Sequence, residues 1–287
     1  MYQTSWNSAH PGHVVFLLDL SGSMAQNNRI DHAIEALRQT LKNIETLCKK
    51  VVRKSGEKPS SMLRERITVS VYGYNYQVKC LGSIKNWGPK QIGTFLSEAK
   101  SVGRTIFDVN GEAKPEYQTC MCAAFVEAKR DIEEWLSQQS GSEMPAPIVI
   151  NITDGYPYEG KEFDQNEVFE RTLRAAKDLM NIRTNDGPVR VFNIHYAPGG
   201  NETVLRFPNT KPTHQNPGEE RVLNFLYDAS SLVTANMAKA LSASFPEVTE
   251  GARAMISNEN NAGKLAMFIN VSSTLPLSSP APEADVD

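Results

Sequence analysis

A chain of 287 residues, 40% hydrophobic and 22% charged, carries enough apolar material for a sizeable buried core and reads as one large domain, alone or with an appendage. Its net charge of -3 supplies no global attraction to polyanions, so neither nucleic acid nor a membrane surface is expected as a partner. The first dozen residues are polar and no apolar run is long enough to cross a bilayer, which predicts a cytoplasmic location, while the cysteines Cys48, Cys80, Cys120 and Cys122 are too sparse and uneven for a disulfide framework or a zinc site.

The first predicted element is a strand. Val14-Val15-Phe16-Leu17-Leu18 is apolar without alternation, as suits a parallel strand covered on both faces, and it ends in Asp19, followed at steps of two by Ser21 and Ser23. A carboxylate and two hydroxyls in a strand-to-helix turn outline a site for a hard cation, Mg2+ or Mn2+ in preference to zinc or copper. From Ile30 to Cys48 apolar residues recur every three or four positions, predicting a long amphipathic helix that Asn27 or Asn28 can cap. Residues 49–66 are polar and basic, broken by Gly56 and Pro59, and read as an exposed excursion. Residues 67–72 alternate strictly and 77–81 follow after a short turn, predicting a hairpin whose second strand lies at a sheet edge. A short helix is expected over 91–99.

A loop rich in Gly, Lys and Pro leads to a second long helix opening near Thr119, with Met121, Ala124, Phe125, Ala128, Ile132 and Trp135 along one stripe. Residues 147–152 form another short buried strand that terminates in Thr153-Asp154-Gly155. Spacing predicts a helix over 168–182 and a further strand over 189–195. Residues 197–218, studded with Pro, Gly and Asn, are a loop of the length usually reserved for function or disorder. One or two short helices are expected within 221–241, an apolar pattern resumes over 262–271, and 272–287 is Ser, Pro and acid rich, the composition of a disordered tail.

Strands alternating with helices predict an α/β fold with a doubly wound, mostly parallel, Rossmann-like sheet flanked by helices and one antiparallel edge strand. Ligands in such folds sit at the carboxyl ends of the strands. If the strands ending at Asp19 and Asp154 are neighbours, two carboxylates and the hydroxyls of Ser21, Ser23 and Thr119 surround one point. In this the chain resembles the von Willebrand factor A (vWA) family, whose metal-ion-dependent adhesion site has an Asp-x-Ser-x-Ser turn, a later Thr and a later Asp, matched here by Asp19, Ser21, Ser23, Thr119 and Asp154. Thr119-Cys120-Met121-Cys122-Ala123-Ala124 looks like the variant found in short bacterial, tellurium-resistance-type members, with Gln118 standing where a Gly often precedes the Thr. The resemblance implies a vWA domain over 13–245, an N-terminal extension over 1–12, and a C-terminal appendage over 246–271 ahead of the tail. It also implies Mg2+ or Mn2+ held with one position open, into which a partner protein offers an Asp or Glu. Such a protein is an adaptor rather than an enzyme, and its partner is of the kind of a kinase or phosphatase encoded nearby.

Each residue has a plainer reading. Asp19, Ser21 and Ser23 can cap the first helix, Thr119 the second, and Asp154-Gly155 can be a simple turn. His195, at a strand end on the same side, is either a neighbour of the site or a buried strand residue, and Tyr156, Tyr158 and Trp87 are candidates for its rim. The competing function is a magnesium-dependent phosphohydrolase of haloacid-dehalogenase type, which also places an Asp after the first strand. That chemistry needs a general acid two residues on, where this chain has Ser21. A dinucleotide-binding oxidoreductase is excluded by the missing Gly-x-Gly-x-x-Gly loop in the first turn.

Overall fold

Every residue of the first strand, β1 (Gly12–Asp19), is buried, and its side chains divide between two apolar layers. Val14, Phe16 and Leu18 join Leu37, Leu41, Met237 and Leu241 on one face, while Val15 and Leu17 join Phe125, Ile132, Leu179 and Leu226 on the other. An unbroken apolar run therefore marks a strand covered on both sides, as period-two geometry requires.

The computed structural model describes residues 6–52, 60–101, 107, 118–139, 144–196, 204–258 and 267–268; the tail over 272–287, most of the apolar stretch over 262–271 and most of the loop before Thr119 lie outside them. After β1 come helix α1 (Arg29–Leu47), strands β2 (Lys49–Val52), β3 (Ser60–Leu63), β4 (Ile67–Tyr74) and β5 (Val78–Cys80), and helices α2 (Pro89–Ser101) and α3 (Met121–Ser137). There follow strand β6 (Ile148–Thr153), helix α4 (Gln165–Met180), strands β7 (Arg183–Thr184), β8 (Gly187–Pro188), β9 (Arg190–His195) and β10 (Leu205–Arg206), helices α5 (Pro217–Asp228) and α6 (Ala235–Leu241), and strand β11 (Met255–Ser257).

Seven strands form the central sheet in the order β10-β11-β9-β6-β1-β4-β5. From β1 the chain steps to β4 on one side and later returns to β6 on the other, so the strand order reverses beside β1, which is where doubly wound folds bind ligands. β6 pairs with β1 in parallel, Leu18 opposite Ile152, so the two predicted ligand strands are neighbours.

Three expectations are corrected. The sheet has two antiparallel edge strands rather than one, because β5 pairs with β4 at one edge and β10 pairs with β11 at the other. The excursion over 49–66 contains a two-stranded ribbon, β2 with β3, which its lack of alternation concealed. Neither Asn27 nor Asn28 caps α1: both take left-handed backbone angles, φ 54° and 57°, and Asn28, at the cap position, makes no side-chain cap bond. In addition, β11, within the segment set apart as an appendage, lies inside the sheet between β9 and β10.

A chain of buried polar side chains crosses the sheet. The Tyr74 hydroxyl donates to Asn151 Oδ1 at 2.8 Å, Asn151 Nδ2 donates to Asn193 Oδ1 at 2.9 Å, and Asn193 Nδ2 donates to Ser230 Oγ at 2.9 Å. These groups tie β4, β6, β9 and the end of α5 together inside an otherwise apolar layer, where an unpaired polar group is costly. Asn151→Ala removes the central link and leaves the Tyr74 hydroxyl and the Asn193 carbonyl unsatisfied. At about 1–3 kcal/mol for each orphaned group, urea denaturation should show a loss of roughly 2–5 kcal/mol.

Candidate metal centre

Asp19 is fully buried at the end of β1, and both carboxylate oxygens accept hydrogen bonds, Oδ1 from the Ser21 N–H at 2.8 Å and Oδ2 from the Thr153 hydroxyl at 2.7 Å. Burial, and then the neighbouring charge of Asp154, push its carboxyl up to about 7, against the opposing pull of those hydrogen bonds. Asp154, after β6, is likewise raised by burial, and the Ser23 hydroxyl and the Arg29 guanidinium work in the other direction. Two carboxylates are thus brought together with too little positive charge around them. The side-chain donors that accompany them in the predicted set, the hydroxyls of Ser21, Ser23 and Thr119, are all oxygens.

The hydroxyls are not consumed by helix capping. Ser21 occupies the cap position of the short 3-10 segment Gly22–Asn28 yet makes no side-chain cap bond; its Oγ lies 3.1 Å from Ser23 Oγ instead. Thr119 is not a cap either, since Cys120 stands at that position of α3. The Thr119 backbone is fixed by an antiparallel bridge to Tyr158, donating to its carbonyl at 2.6 Å and accepting from its N–H at 3.1 Å. Ser21, Ser23 and Thr119 line one open cleft of about 450 Å³ together with Tyr156 and Tyr158. Asp19 and Asp154 do not line this cleft; they meet its hydroxyl turn from within, Asp19 through the Ser21 N–H and Asp154 through the Ser23 hydroxyl, and hydroxyls with carboxylates are a donor set that suits a hard cation of the Mg2+ class.

The turn after β6 is built around His195. Gly155 takes φ +93°, and a Cβ there would lie 2.4 Å from Val222 and 2.7 Å from the His195 ring, so only glycine fits. His195 Nε2 donates to the Asp154 carbonyl at 2.8 Å, and its Nδ1 lies 2.8 Å from Ser257 Oγ, which donates to it. The ring is buried and held neutral, with burial pulling its pKa down to about 4. It is therefore a buried strand residue that holds the backbone of Asp154. The Gly155 N–H meanwhile donates to Thr153 Oγ1 at 2.8 Å, so Thr153 bonds to both carboxylate-bearing segments.

Of the rim candidates, Tyr156 and Tyr158 are at the cleft, and Tyr156 is 41% exposed with its ring edge-on to Phe169. Trp87 is not. It bridges Val69, near the start of β4, and packs on Phe95. Cys120 and Cys122 do not line the cleft, and burial raises both thiols, that of Cys120 to about 11. Among the described residues no group of three His, Cys, Asp or Glu gathers as a metal cluster. Sequence reasoning passed over Arg29 and Thr153. A cation as the first residue of a helix, against the helix dipole, was the available signal for Arg29.

Two outcomes test this geometry. The His195 ring 15N shifts should stay constant from about pH 8 to about pH 5, where an ordinary histidine titrates. Because the unfolded chain protonates first, His195 contributes stability that is lost as pH falls from 6.5 toward about 4. Gly155→Ala should lower the melting temperature and disturb the cleft, since the added methyl meets a packed ring and a packed Val222.

No family model matches the chain, and no curated protein matches it by sequence. Solved structures do. The pilus adhesin SpaC from Lactobacillus rhamnosus GG, in its open conformation, is similar at a TM-score of 0.55 and 11% identity over 96% of this chain and 31% of that one. Proximal thread matrix protein 1 from the mussel byssus is similar at a TM-score of 0.50 and 12% identity over 93% of this chain and 48% of that one. The chain spans about half of the mussel protein and about a third of the adhesin. At these identities the likeness concerns the fold, and the fold is the mostly parallel, doubly wound sheet expected of a vWA domain.

Proposed function

We propose that this chain is a metal-dependent protein-interaction module in which Asp19, Ser21, Ser23, Thr119 and Asp154 hold Mg2+, or Mn2+ in its place, and an Asp or Glu of a partner protein completes the coordination. The observation that carries the reading is the cleft itself: hydroxyls from two distant segments, none spent on a helix cap, beside two buried carboxylates. When bound, the cation supplies a short-range attraction for an acidic side chain. The protein's part is to hold the oxygens in place. Thr153 and the Ser21 N–H orient Asp19, His195 holds the Asp154 backbone, and the Tyr158 bridge holds Thr119.

One carboxylate contact gives modest affinity, so the rim must add area. The Tyr156 ring and the following turn, pinned to α4 by the Glu159–Arg171 ion pair, are placed to do so. Use of the same fold in a pilus adhesin accords with an attachment role. We place the module, on its resemblance to tellurium-resistance-type proteins, as an adaptor in a bacterial stress, signalling or defence system, working with a kinase or phosphatase encoded nearby. We read it as a binding protein and not as an enzyme. In the competing phosphohydrolase reading Ser21 would have to act as general acid, and a hydroxyl paired with Ser23 is a poor proton donor at neutral pH.

Titration calorimetry with Mn2+ should find one site, and Asp19→Ala should abolish it; unchanged binding in that variant would overturn the ligand assignment. Ser21→Ala should weaken Mn2+ binding while shifting the melting temperature little, because the side chain makes no cap bond whose loss would cost about 1 kcal/mol. A pull-down from the native host in Mg2+, in EDTA and with Asp154→Ala should recover the partner only in the first condition. Phosphatase turnover that requires magnesium and Asp19 would favour the enzyme reading instead.

A further inference from the structure

We propose that Arg29 is a tethered counter-cation of the Asp19–Asp154 centre, one that weakens the hold on a divalent ion and leaves the loaded centre with a net positive charge that selects an anionic partner group. The inference rests on the cation reading above and concerns a residue to which that reading assigns no role.

Arg29 is the first residue of α1, where the helix dipole is positive and a cation is disfavoured, and it is only 5% exposed. The chain enters it through Asn27 and Asn28, two consecutive left-handed residues, a backbone state that Asn tolerates better than most side chains. The guanidinium Nη1 donates to the Ser23 carbonyl at 3.2 Å and lies 3.6 Å from Asp154 Oδ2. Nη2 is buried and, among the described residues, has no hydrogen-bond partner. Capping, dipole and apolar packing all argue against a charge at this position. The buried carboxylate of Asp154, itself beside Asp19, argues for it.

The arginine charge is permanent, because guanidinium is not deprotonated in proteins. With both carboxylates ionised, the centre therefore carries one net negative charge before a divalent ion enters and one net positive charge afterwards. Ser21, Ser23 and Thr119 contribute none. The same ligands without Arg29 would attract the metal more strongly, would be neutral once loaded, and would have less charge preference for an acidic side chain. Through Ser23 the guanidinium also holds the loop that carries two of the hydroxyls.

The test compares wild type, Arg29→Gln and Arg29→Lys by Mn2+ calorimetry at alkaline pH, with and without acetate as a minimal carboxylate ligand. A unit charge so close to a ligand carboxylate opposes a divalent ion appreciably even under strong screening, so Arg29→Gln should bind Mn2+ at least about tenfold more tightly than wild type, and Arg29→Lys within about threefold of it. Acetate should tighten Mn2+ binding more in wild type and Arg29→Lys than in Arg29→Gln, since the coupling between two ligands is reciprocal. Equal Mn2+ affinity in wild type and Arg29→Gln overturns the proposal, and an acetate effect of equal size in all three overturns the selection of an anionic group. If no variant binds Mn2+, the cation reading itself falls, an outcome distinct from both. Arg29→Met, which keeps the apolar stem, takes the place of Arg29→Gln if that variant does not fold, and is judged by the same outcomes.

Discussion

Two carboxylates buried side by side at neighbouring strand ends are the constraint around which this molecule is arranged. A carboxylate removed from water resists ionisation, and a second one next to it adds repulsion, so Asp19 is held near 7 rather than in the usual range. Hydrogen bonds from the Ser21 N–H and the Thr153 hydroxyl offset part of that cost at Asp19, and the Arg29 guanidinium offsets part of it at Asp154.

The sheet brings the two carboxylates together. β1 and β6 are parallel neighbours at the point where the strand order reverses, so the turns that follow them open toward the same side. Covering helices on both faces supply apolar burial, and the Tyr74–Asn151–Asn193–Ser230 chain locks the register of the strands just beneath. At the opposite end of β1, His13 lies 3.5 Å from Asp131 and stacks on Trp135, tying α3 to the strand. The site is thus carried on rigid elements, with its own strain confined to Gly155 and the paired left-handed asparagines.

Polar groups around the centre are divided by task. Hydroxyls that meet the cleft are neutral and uncommitted to caps, whereas groups that only position others, such as Thr153 and His195, are fully bonded and buried. Burial keeps His195 neutral, so that Nε2 donates to the Asp154 carbonyl while Nδ1 accepts from Ser257. The Arg29 charge contributes to holding the His195 pKa down.

By itself the sequence determined the parts that depend on near neighbours. Apolar runs marked β1 and, interrupted by Asn151, β6, three-to-four spacing marked α1 and α3, and the steps of two from Asp19 through Ser21 to Ser23 marked the candidate turn, because each pattern is set by the local period of strand or helix. Strands of two or three residues such as β10 and β11 left no period to read, and the ribbon of β2 and β3 lacked alternation. Tertiary structure alone decided that Ser21 and Thr119 do not cap helices, that Trp87 sits away from the cleft, that His195 holds the Asp154 carbonyl, and that Arg29 faces Asp154. Those facts turn on which strand lies beside β1. A hydroxyl, an imidazole or a guanidinium has no preferred partner until the sheet order brings one within reach, and that order is settled by packing across the whole domain rather than by any local stretch of chain.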